Sequence, residues 1–395
     1  MNSLGKTFMT SKENQRADLL LLLFSVFATA SANSVVFASM SELQEQYKYA
    51  DSALGLIAGT GFAMGLFVQL FVAPLADRGH GKKLIQVGLG LAALGSIIFA
   101  LGDSLAIFIL GRGIVGASIG LTFPAVRALA AHLDESRSAE RLGAVAGMEI
   151  GGFVSGPLIG SLIIGPFGLD ATFLLFGGLA VAALFIVSPR RFPELVSTGE
   201  SQRLSFDLVR IFDVRVALIL TLAVTFPTGM FDALWDRFLD DLGGNNAMTG
   251  LTFAAYGLPF IFFSARAGKL IDKRSPVAVV LWLVIPISLL TVSYGVVKQP
   301  WLILGIGLIE GIFQATMIPA ALSAVAKAAP LGRASAAQGL SGAVNVFGQM
   351  VAAFIAPTIY GAYGAFTTFF VVAVGITAIA GIAGMMHLRN LNNSR

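Results

Sequence analysis

The chain has 395 residues, 56% of them hydrophobic and only 12% charged, about half the charged share of an ordinary soluble domain. With 31 Phe, 45 Gly and a mean hydropathy of +0.82, it cannot be a soluble globular protein and must cross a membrane many times. A net charge of +4, scattered along the chain, excludes a nucleic-acid surface, and the absence of cysteine excludes disulfides, thiolate metal sites and cysteine nucleophiles.

One crossing takes about 20 apolar residues. Twelve stretches of that kind are predicted: 19–40, 53–76, 84–102, 104–131, 142–165, 171–188, 216–238, 249–267, 277–297, 301–325, 335–360 and 365–387. The first is of spanning length and ends without a convincing Ala-x-Ala cleavage site, so no cleaved signal peptide is expected. Connections are short except for the polar stretch 189–215. It divides a six-span bundle at 1–188 from a second at 216–395. Within the linker, Ser205–Phe212 reads either as a short amphipathic helix on the membrane surface or as a solvated connection. His80, His132 and His387 fall in loops or at span ends and form no ligand-spaced cluster; no metal and no cofactor are expected.

Lys and Arg counts set the orientation. Of the 26 Lys and Arg residues, 21 lie on one side: in the N-terminus, the C-terminus and the loops near 77–83, 132–141, 189–215, 266–274 and 327–333. The other side holds Lys48, Arg237 and Lys298. The expectation is a multi-pass protein of the inner, cytoplasmic membrane with both termini cytoplasmic.

The two halves repeat at an offset of about 195 residues. Asp77-Arg78 recurs as Asp272-Lys273, and Gly116 and Pro124 recur as Gly311 and Pro319. One residue further on, Arg137 matches Arg333, and Gly143 and Gly152 match Gly339 and Gly348. Parallel repeats imply an axis along the membrane normal and a binding site between the halves near the midplane.

The fifth span is rich in glycine. Gly143, Gly147 and Gly151 are spaced by four, as are Gly152, Gly156 and Gly160. Each series leaves a stripe without side chains that lets a neighbouring helix come close. Pro157 removes a backbone donor, so a bend is expected there.

These residues resemble the major facilitator superfamily over essentially the whole chain. Pro74-Leu75-Ala76-Asp77-Arg78-Gly79-His80-Gly81-Lys82-Lys83 resembles the family's loop between the second and third helices. Gly268-Lys269-Leu270-Ile271-Asp272-Lys273-Arg274 resembles its second-half copy, and Arg112-Gly113-Ile114-Val115-Gly116 the fourth-helix motif with a buried arginine. Gly143, Gly152, Gly156, Pro157 and Gly160 resemble the fifth-helix antiporter motif of the twelve-helix drug/proton branch. The resemblance implies an all-α membrane protein of twelve transmembrane helices in two parallel six-helix repeats, working by alternating access. In that scheme Asp77, Arg78, Lys82 and Lys83, with Asp272 and Lys273, form a conformational latch, an acid facing a helix N-terminus and bases pairing with acids on a neighbour.

Charges inside spans are costly and mark function. Arg112 and Glu149 each lie roughly 12 Å from opposite ends of their spans, close enough in depth to pair directly or through water. Glu310 sits near the midplane with no base in neighbouring spans, so it is expected to hold a proton when dry and to release it when water enters. Asp232 lies beside Trp235 in the outer third of the seventh span, whereas Asp236 and Arg237 read as wetted surface groups. Asn33, Gln69, Trp235, Gln314, Asn345 and Gln349 are candidate cavity-lining groups, and Asn345 occupies the repeat position of Glu149. Trp282 and Trp301 could stack on a flat apolar substrate, but such residues more often face lipid, pack between helices or anchor at interfaces.

Three functions fit. The first is a proton-coupled exporter of small amphiphilic or cationic compounds, with Glu149, Glu310, Asp232 and Arg112 handling protons or substrate. The second is a transporter of a polar metabolite such as a sugar, amino acid or organic anion, with Arg112 holding the anion. The third is a membrane sensor or lipid-handling protein on the same scaffold. Partners are then a small-molecule substrate, protons and the lipid bilayer, with no nucleic acid and a monomeric state. No phosphate-cradling Gly-x-x-x-x-Gly-Lys-Ser/Thr loop and no Ser/His/Asp group are present, so no enzyme activity is expected.

Overall fold

The computed structural model describes residues 2–72, 79–133, 138–190, 192, 206–271, 274–330 and 333–393. Among the described residues all regular structure is helical. The helices are α1 (Asn2–Ser34), α2 (Met40–Tyr47), α3 (Asp51–Phe71), α4 (Gly81–Ala100), α5 (Leu105–His132), α6 (Ser138–Val187), α7 (Phe212–Asp241), α8 (Asn246–Ile271), α9 (Pro276–Tyr294), α10 (Pro300–Ala328) and α11 (Ala334–Asn393). Two short 3₁₀ turns, Val35–Ala38 and Phe206–Arg210, complete the set. Among the described residues nine helices are long and apolar enough to cross a membrane.

Two of these contain more than one crossing. The apolar stretches of α6 and α11 run to 47 and 53 residues, roughly 70–80 Å of helix against a hydrocarbon core of about 30 Å. Each turns at a glycine with positive φ, Gly168 (φ 81°) and Gly364 (φ 78°), a region that a Cβ disfavours. Counted as pairs, and with α8, they give the twelve crossings expected from sequence. Pro157 stays within the helix, and Gly168 is the residue that leaves helical geometry. A proline breaks one hydrogen bond, whereas a left-handed residue redirects the chain.

The repeat is legible in the backbone. Helices α3 and α8 begin at Asp51 and Asn246, α4 and α9 at Gly81 and Pro276, and α5 and α10 at Leu105 and Pro300, each pair 195 residues apart. Past an extra residue, α6 and α11 begin 196 apart, and so do Gly168 and Gly364. The left-handed Lys48 (φ 56°) that ends α2 corresponds to the left-handed Gly243 (φ 76°) beyond α7.

Two compact units result. The first comprises Met1–Val36 and Met64–Ser201, the second Phe37–Ala63 and Gln202–Arg395. In the first, α1 packs on α5 and α6, and α4 on α5 and α6. In the second, α7 packs on α10 and α11, and α9 on α10 and α11. Corresponding helices therefore keep corresponding neighbours. Bare backbone allows close approach in both: a Cβ at Gly95 would lie 2.8 Å from the Gly111 carbonyl, and one at Gly311 would lie 2.4 Å from the Tyr256 carbonyl.

The linker segment departs from both sequence readings. Phe206–Arg210 is a 3₁₀ turn that buries Leu208 among Val214, Leu218, Val325 and Leu340 of the second unit. Asp207 takes two hydrogen bonds from Arg333, one at 3.0 Å.

Candidate functional site

In the first unit, Arg112 of α5 is 2% exposed. Its Nη1 donates to the Asn33 carbonyl at 2.9 Å and to Asn33 Oδ1 at 2.5 Å. One arginine thus holds both the backbone and side chain of α1 where the helix gives way to the Val35–Ala38 turn. A small cavity borders it, lined by Ala32, Ser96, Phe99, Val115 and Phe173.

The base that holds Glu149 is Arg127, a correction to the expected pairing with Arg112. Arg127 Nε donates to Oε1 at 2.8 Å and Nη2 to Oε2 at 2.5 Å, a bidentate pair between α5 and α6. The side chain of Arg127 is 47% exposed and that of Glu149 12%. Matching depth does not fix which face of a helix a residue occupies. Arg127, near the end of α5, and Glu149, near the start of α6, lie toward the same side of their spans, and that shared side was the available signal.

The two glycine series of α6 have different surroundings. A Cβ at Gly152 would lie 2.5 Å from Ala30 Cβ, and one at Gly156 would lie 2.1 Å from Ser34 Oγ. Gly160 meets Val35 at 2.8 Å, so this series seats α1. Around Gly143, Gly147 and Gly151 nothing lies within 4 Å of a built Cβ; the expected close approach is made by one series only. In the second unit Gly348 packs on Leu222 of α7 while Gly339 faces open space, repeating the pattern.

Among the described residues the most enclosed acid lies in the second unit. Glu310 of α10 is 0% exposed. Tyr294, the last residue of α9, donates its hydroxyl to Glu310 Oε2 at 2.7 Å. Glu310 Oε1 has no hydrogen bond of normal geometry among the described residues, and neither has Oε1 of buried Gln314, whose side chain, one turn further along α10, is set against the same carboxyl. Rings enclose the pair: Trp235, Phe231 and Phe369 lie 5.0, 5.8 and 5.6 Å from the Tyr294 ring. Trp235 Nε1 donates to Thr252 Oγ1 at 2.8 Å. Half-buried Asp232 lies in electrostatic reach of Tyr256, which Glu310 also influences. Tyr294 escaped the sequence reading because it lies at a span end, where a tyrosine ordinarily reads as an interfacial anchor.

The remaining candidates are dispersed. Gln349 Nε2 donates to Asn345 Oδ1 at 2.8 Å within α11, and Gln69 is half-buried on α3. Lys82 Nζ donates to the Ser188 carbonyl at 2.8 Å, and Lys83 is exposed. Asp77, Arg78, Asp272 and Lys273 lie outside the described residues. Trp282 and Trp301 are exposed, as expected of lipid-facing anchors. The sequence reading of Asp236 and Arg237 as wetted groups is corrected: Asp236 is buried and accepts the Ser41 backbone N–H at 2.9 Å, while the Arg237 side chain is only 25% exposed and lies between Asp51 and Asp241.

Comparison with known proteins agrees with this architecture. The sequence pattern of the Major Facilitator Superfamily matches residues 22–235 and 217–393. A multidrug resistance protein, MdtG, of Dickeya zeae is 25% identical over 329 residues, covering 79% of this chain and 80% of the relative. MdtG of Proteus mirabilis is 23% identical, covering 86% and 89%. Among solved structures, a bacterial homolog of the human lysosomal transporter Spinster superposes with a TM-score of 0.80 at 15% identity, over 95% of this chain and 98% of that one. The nucleoside transporter NupG gives 0.78 at 12% identity, over 93% and 98%.

Proposed function

This chain belongs to the major facilitator superfamily, and from that premise we propose that it is a proton-coupled exporter of small amphiphilic or cationic compounds. It is a multi-pass membrane transporter of small molecules, not an enzyme. The MdtG relatives, named for multidrug resistance, favour efflux over uptake.

The observation that carries proton coupling is the state of Glu310. It is sealed from solvent, one oxygen is bonded to Tyr294, and the other has no hydrogen bond of normal geometry among the described residues. An anion kept there would face a desolvation penalty of several kcal/mol with no base to offset it, whereas a neutral carboxylic acid avoids that penalty. Glu310 therefore holds a proton in this conformation and releases it when α9 and α10 part to admit water. Release into the cell, alternating with export of a cation, couples the two flows. Glu149 is already neutralised by Arg127, and Arg112 is committed to Asn33, so both serve as supports of their helices. Placement in the cytoplasmic membrane with both termini inside, and function as a monomer, complete the reading.

The test is transport in proteoliposomes. A lipophilic cation that raises the melting temperature of the purified protein is first identified. With an imposed pH gradient, wild type should drive that cation against its concentration gradient. Glu310→Gln should abolish the gradient-driven component while keeping passive exchange. Unchanged gradient-driven transport by Glu310→Gln would overturn the assignment.

A further inference from the structure

Three contacts in the second unit join the segment 41–51 to the segment 236–246. The Ser41 backbone N–H donates to Asp236 Oδ2 at 2.9 Å. Asn246 Nδ2 donates to Glu42 Oε2 at 3.3 Å. Arg237 Nε lies 3.7 Å from Asp51 Oδ1.

The repeat gives these contacts a common logic. At the 195-residue offset, Ser41 corresponds to Asp236, Glu42 to Arg237 and Asp51 to Asn246. Ser41 thus meets its own counterpart. Glu42 meets the counterpart of Asp51, and Asp51 meets the counterpart of Glu42. Contacts in which i touches j′ and j touches i′ are the mark of a two-fold interface, and a position touching its own copy lies on the axis. The segments 41–51 and 236–246 therefore close on one another about a local two-fold.

Symmetry of backbone is combined with asymmetry of charge. Three acids meet one base: Arg237 lies 3.7 Å from Asp51 and pairs with Asp240 at 3.2 Å and Asp241 at 2.7 Å, while Glu42 and Asp236 are held in the same contact by Asn246 and the Ser41 N–H. Gln44 donates to Asp51 Oδ1 and Tyr360 to Asp241 Oδ2, so these carboxylates are tied in from α2 and α11 as well. Without Arg237 the acids would repel one another and the contact would open. Below them, α3 lies against α11 through bare backbone: a Cβ at Gly55 would sit 2.9 Å from the carbonyls of Ala353 and Phe354.

We propose that this two-fold contact is the gate closing the carrier on the side opposite the Lys- and Arg-rich loops, with Arg237 as its bolt. The proposal rests on reading the chain as an alternating-access carrier, and its test separates the two. The natural chain has no cysteine, so an introduced thiol is a clean reporter. Ser41→Cys, 6% exposed at its native residue, should react slowly with a membrane-impermeant maleimide added from outside. Adding Arg237→Ala should speed labelling about tenfold, with Arg237→Lys in between. Separately, Glu42→Cys with Asn246→Cys, joined by oxidation, should stop substrate counterflow, and reduction should restore it. Labelling indifferent to Arg237, together with counterflow that survives the crosslink, would remove the gate and leave the carrier standing. If no ligand shows counterflow in the reduced protein, the carrier reading falls, while labelling still decides whether Arg237 bolts the contact.

Discussion

At the scale of single residues, the buried acids differ in what satisfies them, and that difference is measurable. Tyr294→Phe removes the donor to Glu310 Oε2 and leaves that oxygen, like Oε1, without a hydrogen bond of normal geometry. The expected cost is about 1–3 kcal/mol, the penalty for stranding a buried polar atom. It should largely vanish in the Glu310→Leu background, where no acceptor remains, so a double-mutant cycle by thermal melting in detergent should return a coupling of about 0.5–3 kcal/mol; additive effects would show that the two side chains do not act together. Outside the spans, Asp207 behaves oppositely. Its carboxyl is held below the ordinary value chiefly by the hydrogen bonds from Arg333, whose guanidinium is pushed up in turn by Asp207. A depressed acid contributes stability above its unfolded value and loses it as pH falls through the folded one. The contribution should therefore fade below about pH 4, and Asp207→Asn should flatten that acid limb in melting curves. Because the pair is exposed, the effect should be small and shrink further in high salt.

At the scale of the helix, what sequence made legible was spacing, and what it hid was azimuth. Helix starts separated by 195 residues and the four-residue glycine series both follow from counting along the chain. Which neighbour Glu149 faces does not, because depth is one coordinate and the face of the helix is another; packing of α5 against α6 chose Arg127. The same blindness made the two glycine series of α6 look alike. They are separable by substitution. Gly156→Ala would drive a Cβ to 2.1 Å from Ser34 Oγ and 2.7 Å from the Ser31 carbonyl, and α1 would have to move, at about 1–3 kcal/mol. Gly147→Ala meets nothing within 4 Å and should leave the melting temperature unchanged or slightly raised, since alanine favours helix over glycine. Equal losses at both positions would mean that both series are buried against helices.

At the scale of the whole molecule, charge and fold constrain topology independently. Twelve crossings, with α6 and α11 each turning at a left-handed glycine, are an even number, so both termini must lie on one side. The 21 basic residues grouped with the termini against three on the other side support the proposed placement of that side in the cytoplasm. One of those three, Arg237, has a task beyond topology: it is fixed between Asp51 and Asp241, and the acids around it add nothing to the orienting bias, which counts Lys and Arg alone. Orientation should therefore survive Arg237→Ala even though the proposed gate does not. Reporter fusions check this directly. A fluorescent protein after Arg395 should mature in the cytoplasm, and a phosphatase fused after Lys48 should be active outside, with both results unchanged in Arg237→Ala. An active phosphatase at the C-terminus would invert the assignment and place the Arg237 contact at the inner face.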